Sequence, residues 1–165
     1  MAAYYLVELF GCDRVMLPTE APEHGPIEMA GSACLPNWRL PDLFGPFDVF
    51  MNTYSFQEME PDVVDHYIQA VADLGARYAV SYNSLHGKPR KVEGQEGGVL
   101  DPVTSPRIID MFQRRGYRLL RTYRDPLVVS AAEIAVLEQS WPAGIRWRRS
   151  NESRATHNLE GGIVS

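Results

Sequence analysis

Residues 48–62, DVFMNTYSFQEMEPD, predict a buried strand, a polar loop and a helix in direct succession. The apolar run at 47–51 has the length and composition of a buried strand, and it changes abruptly into polar and aromatic residues at 52–58. Pro61 is typical of the first turn of a helix. In an open α/β sheet, ligands bind beyond the carboxyl ends of the strands, so the loop at 52–58 lies where a functional site is expected.

Strands and helices alternate along much of the remaining chain. Helices are predicted at 2–10, 61–74 and 105–115, the last capped by Ser105-Pro106, and strands at 14–17, 32–35, 77–82 and 117–123. Residues 84–104 form a long, glycine-containing loop, and loops of that length are usually functional or disordered. The alternation predicts an α/β fold with a mostly parallel sheet.

The segment 127–139 supports two interpretations. Ser130-Ala-Ala-Glu133 has the spacing of a helix capping box, which favours a helix. The apolar run at 134–137 instead suits a strand in a hairpin that closes the sheet. The residues alone leave both interpretations open.

Composition limits the classes of function. A chain of 165 residues, 45% of them hydrophobic, suits one domain, predicted at 1–147 and followed by a polar tail at 148–165. A net charge of −5 provides no basic field for nucleic acid, and no apolar run approaches the roughly 20 residues of a membrane span. The N-terminus lacks a signal-peptide pattern, and Cys12 and Cys34 lack metal-ligand spacing. These features predict a cytoplasmic protein without a bound metal.

Two stretches resemble a known family. The block NTYSFQEM at 52–59, set between a hydrophobic strand and a helix with Tyr67 near its middle, and the strand YAVSYN at 78–83 are similar to the sugar O-methyltransferases. That bacterial family uses S-adenosylmethionine and has the class I methyltransferase fold. The resemblance is specific over 47–83 and general elsewhere. It implies methyl transfer to a hydroxyl of a sugar or glycan precursor, and it favours the strand at 127–139.

The resemblance also implies that part of the cofactor site is missing from this chain. Class I enzymes bind the cofactor with a glycine-rich turn after the first strand, where glycine lets the backbone approach the ligand. The sequence contains no G-x-G-x-G and begins inside what resembles the helix after the second strand. We therefore expect a partial Rossmann-like sheet that lacks the first βα cofactor-binding units, in a fragment, a mis-started chain or a degenerate relative. Such a sheet would expose an edge strand and favour self-association.

Glu58 and His86 are the candidate catalytic residues. Glu58 lies just beyond the strand at 47–51, where a carboxylate can orient the acceptor hydroxyl or accept its proton. It is equally compatible with a solvated glutamate that complements the dipole of the following helix. His86 lies on the long loop, and imidazole exchanges protons near neutral pH, although a loop histidine is more often simply solvated.

Asparagines end two successive predicted strands. Asn52 and Asn83 should meet at the carboxyl edge of the sheet, because parallel strands end on the same side. An amide both donates and accepts hydrogen bonds, which suits a sugar hydroxyl, although asparagine is also common in turns. By resemblance, Tyr54 joins them in binding the acceptor, and Thr53 faces the methionine part of the cofactor.

Two further groups extend the predicted site. Lys88, Arg90 and Lys91 form a basic cluster on the long loop that suits the diphosphate of a nucleotide sugar, or is simply a solvated charge run. Asn37 and Trp38 precede the strand at 47–51, in the position where class I enzymes hold the adenine. A core tryptophan near a turn is the plain alternative for Trp38.

The main rival to a methyltransferase is an inactive α/β module that binds a partner or forms oligomers. The absence of a glycine-rich cofactor turn favours that module, and the retained NTYSFQEM block opposes it. An unrelated α/β hydrolase lacks support, since neither a nucleophile elbow nor a metal motif occurs in the sequence.

Overall fold

The computed structural model describes residues 2–28, 31–44, 47–94, 96–125 and 131–140. The helices are α1 (Ala2–Phe10), α2 (Pro61–Asp73) and α3 (Ser105–Arg114). The strands are β1 (Val15–Met16), β2 (Ser32–Ala33), β3 (Val49–Thr53), β4 (Tyr78–Ser84), β5 (Tyr117–Arg124) and β6 (Ala132–Gln139). Short 3-10 turns occur at Cys12–Arg14, Asn37–Asp42 and Phe56–Glu58. The predicted tail at 148–165 lies outside the described residues.

The main sheet has four strands in the order β3-β4-β6-β5. β3 and β4 are parallel, with Val49 opposite Tyr78 and Thr53 opposite Tyr82. β6 runs antiparallel to both of its neighbours, β4 and β5. The predicted fold class is confirmed: the chain is a mixed α/β protein with a partial sheet, which includes the antiparallel strand β6 that the resemblance implied. The prediction of a mostly parallel sheet is wrong for these four strands, because β3 and β4 form their one parallel pair.

The strand interpretation is correct for Ala132–Gln139, while 126–130 lie outside the described residues. β6 pairs with β4 on one edge and with β5 on the other, so both of its edges have hydrogen-bonding partners. Ala135 and Leu137 are fully buried on one face. This non-local pairing outweighs the local capping-box signal, as strand formation usually depends on neighbours more than on propensity.

The hydrophobic core lies between the sheet and the two helices α2 and α3. Ile68 of α2 and Phe112 of α3 are fully buried in one cluster with Ala79 of β4 and Leu137 of β6. Burying side chains of this size contributes about 1.5–3 kcal/mol each. The core therefore fixes one face of β3, β4 and β6 beneath the two helices.

β3 has an open edge among the described residues, because it pairs there with β4 alone. Val49 and Met51 point away from the core and are 51% and 64% exposed. The predicted exposure of a sheet edge is therefore present in this part of the chain, and self-association through it stays a prediction. None of the described helices is long and apolar enough to cross a membrane.

The ends of α2 and α3 follow from local sequence. Pro61 starts α2, and Gly75 follows it with a φ of +68°, a conformation that glycine adopts without steric cost. The predicted cap of α3 is wrong by one residue: Thr104 is the N-cap, its side chain accepting a hydrogen bond from the Arg107 N–H at 3.4 Å. Ser105 is instead the first helical residue, and its hydroxyl is turned towards the sheet.

Candidate functional site

The two asparagines predicted to converge do lie together. Asn52, near the end of β3, is 6% exposed, and Asn83, near the end of β4, is fully buried. Asn83 Nδ2 donates to Asn52 Oδ1 at 3.0 Å and to Ser81 Oγ at 2.9 Å. The parallel pairing of β3 and β4 explains this contact, because it brings the carboxyl ends of both strands to the same edge.

Asn52 also shapes the loop that follows β3. Its Nδ2 donates to Ser55 Oγ, and its Oδ1 accepts from the Phe56 N–H at 3.4 Å. Between them, Tyr54 has a φ of +58°, which is uncommon for a residue with a side chain. The amide of Asn52 therefore holds a tight turn that directs residues 54–58 over the strand end.

Asn83 retains one unused hydrogen-bonding atom. Its Oδ1 is buried and has no partner within the described part of the protein. An acceptor in that condition costs about 1–3 kcal/mol, so such groups call for a specific explanation. A donor from a ligand at the strand ends would satisfy this oxygen.

Glu133 is a site residue that the sequence did not reveal. It lies directly opposite Asn83 in the antiparallel pairing of β4 and β6, so both side chains are on the helix-covered face. Ser105, fully buried at the start of α3, donates its hydroxyl to Glu133 Oε2 at 2.9 Å. A polar row thus crosses the sheet from Asn52 through Asn83 to Glu133. Glu133 reaches this position through the pairing register of β6. The local sequence had instead indicated that Glu133 belongs to a helix capping box.

Glu58 lies in the 3-10 turn after β3 and forms an ion pair with Lys88. The neighbouring Gln57 accepts a hydrogen bond from the Ser84 N–H at 2.8 Å through its Oε1. These contacts tie the turn after β3 to the beginning of the long loop. The candidate base and one of the predicted acceptor-binding lysines are therefore direct partners.

The far end of the long loop is fixed to the start of α2. Glu60 accepts hydrogen bonds from the Leu100 N–H at 2.8 Å and the Asp101 N–H at 3.1 Å. Asp101 itself forms ion pairs with Arg107 at 2.7 Å and with Arg90 at 3.8 Å. Carboxylates therefore attach the loop beside the strand ends near both of its ends.

His86 and Thr53 are exposed at the same edge. The His86 N–H donates to Ser84 Oγ at 3.2 Å, which places the residue directly after β4. Thr53 is the last residue of β3. Both lie at the carboxyl edge as the sequence predicted, and their chemical roles stay predictions.

Two tyrosines occupy the opposite face of the sheet edge. The ring of Tyr54 meets that of Tyr82 edge-on, with centroids 4.7 Å apart. Tyr82 donates its hydroxyl to Asp125 Oδ2, and this hydrogen bond, helped by the nearby Tyr54, raises the pKa of Tyr82 above its ordinary value. Tyr82 is therefore a neutral donor at physiological pH, and it orients Tyr54 beside the strand end.

Asn37 and Trp38 lie beside α2. Asn37 Nδ2 donates to the Tyr67 hydroxyl at 2.8 Å, and Trp38 is 74% exposed. Both residues border a cavity of about 510 Å³ together with His66 of α2. Trp38 is thus not a core residue, and its exposed ring beside a cavity is compatible with the predicted adenine contact. In the described part of the chain, no group of histidine, cysteine, aspartate or glutamate side chains could hold a metal ion.

Comparison with known proteins finds distant similarities to solved structures. No protein-family model and no curated protein matches the sequence. Magnesium protoporphyrin IX methyltransferase from Synechocystis PCC 6803, with bound SAM, is similar in structure over 67% of this chain and 46% of its own, at 14% identity and a TM-score of 0.48. Its SAH complex matches over 52% of its length, so the chain spans about half of this methyltransferase.

Two further solved structures are similar at the same level. A protein of echinomycin biosynthesis, which converts a disulfide bond into a thioacetal group, matches over 81% of this chain and 64% of its own, at 13% identity and a TM-score of 0.49. An S-adenosylmethionine-dependent methyltransferase from Mesorhizobium loti matches over 73% of both chains, at 10% identity and a TM-score of 0.46. At these values, none of the similarities assigns a function to the chain.

Proposed function

We propose that this chain carries part of the active site of a class I methyltransferase, which transfers a methyl group from S-adenosylmethionine to a hydroxyl of a sugar or glycan precursor. The observation that carries the proposal is the buried hydrogen-bonded pair of Asn52 and Asn83 at adjacent parallel strand ends. Both asparagines belong to the stretch 47–83, whose sequence resembles the sugar O-methyltransferases.

The strand-end residues fit the polar part of the cofactor. Asn83 Oδ1 is a buried acceptor without a donor among the described residues, which suits an ammonium or hydroxyl group. Thr53 offers an exposed hydroxyl one residue beyond Asn52. On this proposal both residues contact the cofactor or acceptor, and Asn37 and Trp38 border the adenine. When bound, S-adenosylmethionine supplies the methyl group as part of a sulfonium.

The protein's own contribution is alignment together with removal of one proton. Holding two reactants in line contributes several kcal/mol to catalysis, and a general base typically contributes 10²–10⁴-fold. Glu58 is the first candidate base, because the Lys88 ammonium holds its carboxylate at the edge of the site. His86, exposed at the start of the same loop, is the second.

Isothermal titration calorimetry with S-adenosylhomocysteine tests the proposal. We expect the folded chain to bind it with a Kd on the order of micromolar, and Asn83→Ala to weaken binding about tenfold, or about 1.4 kcal/mol. Asp110→Asn is the control, because Asp110 forms an ion pair with Arg114 of its own helix α3 and belongs to neither strand end. A folded chain that does not bind S-adenosylhomocysteine would contradict the proposal.

One observation favours a second function, that of an inactive module which pairs with another subunit. The open edge of β3 presents Val49 and Met51, which are 51% and 64% exposed, and β3 contains no charged residue to discourage pairing. Light scattering after size exclusion tests this alternative. A dimer that dissociates on Met51→Lys, in a chain that binds no S-adenosylhomocysteine, would favour the module.

A further inference from the structure

The loop between β4 and α3 has no excess of positive charge. Residues 85–104 contain three basic and three acidic side chains, so the formal charge of the loop is zero. The loop also contacts Glu58 and Glu60, which add two negative charges at the strand-end edge. The electrostatic field at this edge therefore does not favour a polyanionic ligand.

Two of the three basic residues of the loop have acidic partners. Lys88 is paired with Glu58, and Arg90 lies 3.8 Å from Asp101, which also binds Arg107 at 2.7 Å. A diphosphate would have to displace the Glu58 carboxylate before it could use Lys88, and it would meet the negative charge of Asp101 beside Arg90. Phosphate recognition normally relies on charge-assisted hydrogen bonds from unpaired arginine or lysine, so this arrangement opposes it.

Helix N-termini are the other usual anion-binding elements, and that of α2 carries acidic residues. Glu60 is the N-cap residue of α2, and Asp62 lies in its first turn. At α3, the first residue, Ser105, donates to Glu133. The acidic residues at the N-terminus of α2 therefore disfavour a bound phosphate there, and the N-terminus of α3 is capped by the Thr104 hydroxyl.

The exposed polar groups at the end of β3 are uncharged, while His86 and Lys91 are exposed on the loop after β4. Asn83 Oδ1 accepts no hydrogen bond within the described residues. Thr53 at the end of β3 and Ser55 in the turn that follows are exposed residues with hydroxyl groups. Amide and hydroxyl groups pair well with the hydroxyls of a neutral ligand, each acting as donor or acceptor.

We propose that the acceptor taken by this site is an electrically neutral polyhydroxyl compound, such as a free or glycosidically linked sugar, and not a nucleoside diphosphate sugar. This inference rests on the methyl transfer proposed above and narrows its substrate class. Lys88 is then a positioning residue for the Glu58 carboxylate, and Arg90 a positioning residue for the loop.

Ligand binding by the whole 165-residue chain tests the inference. UDP is the charged probe, and a panel of methyl glycosides provides the neutral probes. Saturation-transfer NMR at low and high salt detects both. We expect binding of at least one glycoside, with little dependence on salt, and no binding of UDP. Glu58→Gln should create salt-dependent UDP binding, because it leaves the Lys88 ammonium without its partner.

The opposite pattern would overturn the inference: UDP binding by the unaltered chain that weakens about tenfold in Lys88→Met but not in Lys91→Met. Lys91 is the matched control, since it is an exposed lysine on the same loop. Circular dichroism confirms that each variant is folded.

A parallel titration with S-adenosylhomocysteine separates the two proposals. If the cofactor product binds and no glycoside does, the neutral-acceptor inference is wrong while methyl transfer stands; if the cofactor product does not bind, methyl transfer itself fails.

Discussion

The hydrogen bond between Asn52 and Asn83 should couple the two residues energetically. Asn83→Ala removes two hydrogen bonds, to Asn52 Oδ1 at 3.0 Å and to Ser81 Oγ at 2.9 Å. Each contributes about 0.5–1.5 kcal/mol, and removing the unpartnered Asn83 Oδ1 offsets part of the loss. We therefore expect Asn83→Ala to lower the free energy of unfolding by about 2 kcal/mol.

A double-mutant cycle measures the shared part of that loss. Urea denaturation of the two single variants and of Asn52→Ala/Asn83→Ala should give a coupling energy of about 1 kcal/mol, because the second substitution no longer breaks their mutual hydrogen bond. Asn37 provides the control cycle, since it is an exposed asparagine bonded to Tyr67 of α2. Additive losses for Asn52 and Asn83, like those expected for Asn37 and Asn83, would refute the reasoning.

An isosteric change separates hydrogen bonding from packing. Asn83→Asp keeps the size of the side chain but replaces a donor with an acceptor, facing Asn52 Oδ1 and beside Glu133. Burial should raise the pKa of the new carboxyl in the folded state, so stability falls as pH rises through its unfolded value of about 3.9. We expect Asn83→Asp to be less stable at pH 7 than at pH 5, relative to the unaltered chain; equal losses would show that the site is solvated.

Two further predictions concern the core and the loop. Burial raises the pKa of Tyr117 to about 12, from an ordinary value of 10, so its contribution to stability is present below pH 10 and is lost as pH rises towards 12. Between pH 10 and pH 12, the free energy of unfolding measured with urea should fall by about 2 kcal/mol more in the unaltered chain than in Tyr117→Phe. Equal decreases in the two proteins would contradict this prediction. Glu60→Gln should speed hydrogen exchange at the Leu100 and Asp101 amides roughly fivefold, because it removes the charge from their shared acceptor. Unchanged exchange would mean that Glu60 does not hold the loop.

Local sequence was sufficient for the elements that build the strand-end edge. Each of these elements is indicated by a signal within a few residues: the apolar run before Asn52, the proline that starts α2, and the glycine after α2. The proximity of Asn52 and Asn83 followed from one general rule, that parallel strands end at the same edge. This part of the site was predictable because every step was local or topological.

The remaining contacts depend on pairings that local sequence does not encode. Glu133 reaches the site only because β6 pairs with β4 in one register, and a shift of one residue would turn its side chain to the other face. Lys88 meets Glu58 across 30 residues of sequence, through a loop whose path depends on attachment at Glu60. The sequence therefore identified the basic residues of this loop, but it did not reveal that Lys88 pairs with Glu58 or that Arg90 lies beside Asp101.

The most direct test of a ligand site at the ends of β3 and β4 is to locate bound S-adenosylhomocysteine on the chain by NMR. Side-chain amide resonances of ¹⁵N-labelled protein are followed as S-adenosylhomocysteine is added. We predict that the side-chain amide resonances of Asn52 and Asn83 shift together with the backbone amide resonance of Thr53. Shifts confined to the cavity of about 790 Å³ beside β1 and β2, at Val15 and Ser32, would contradict a ligand site at the ends of β3 and β4.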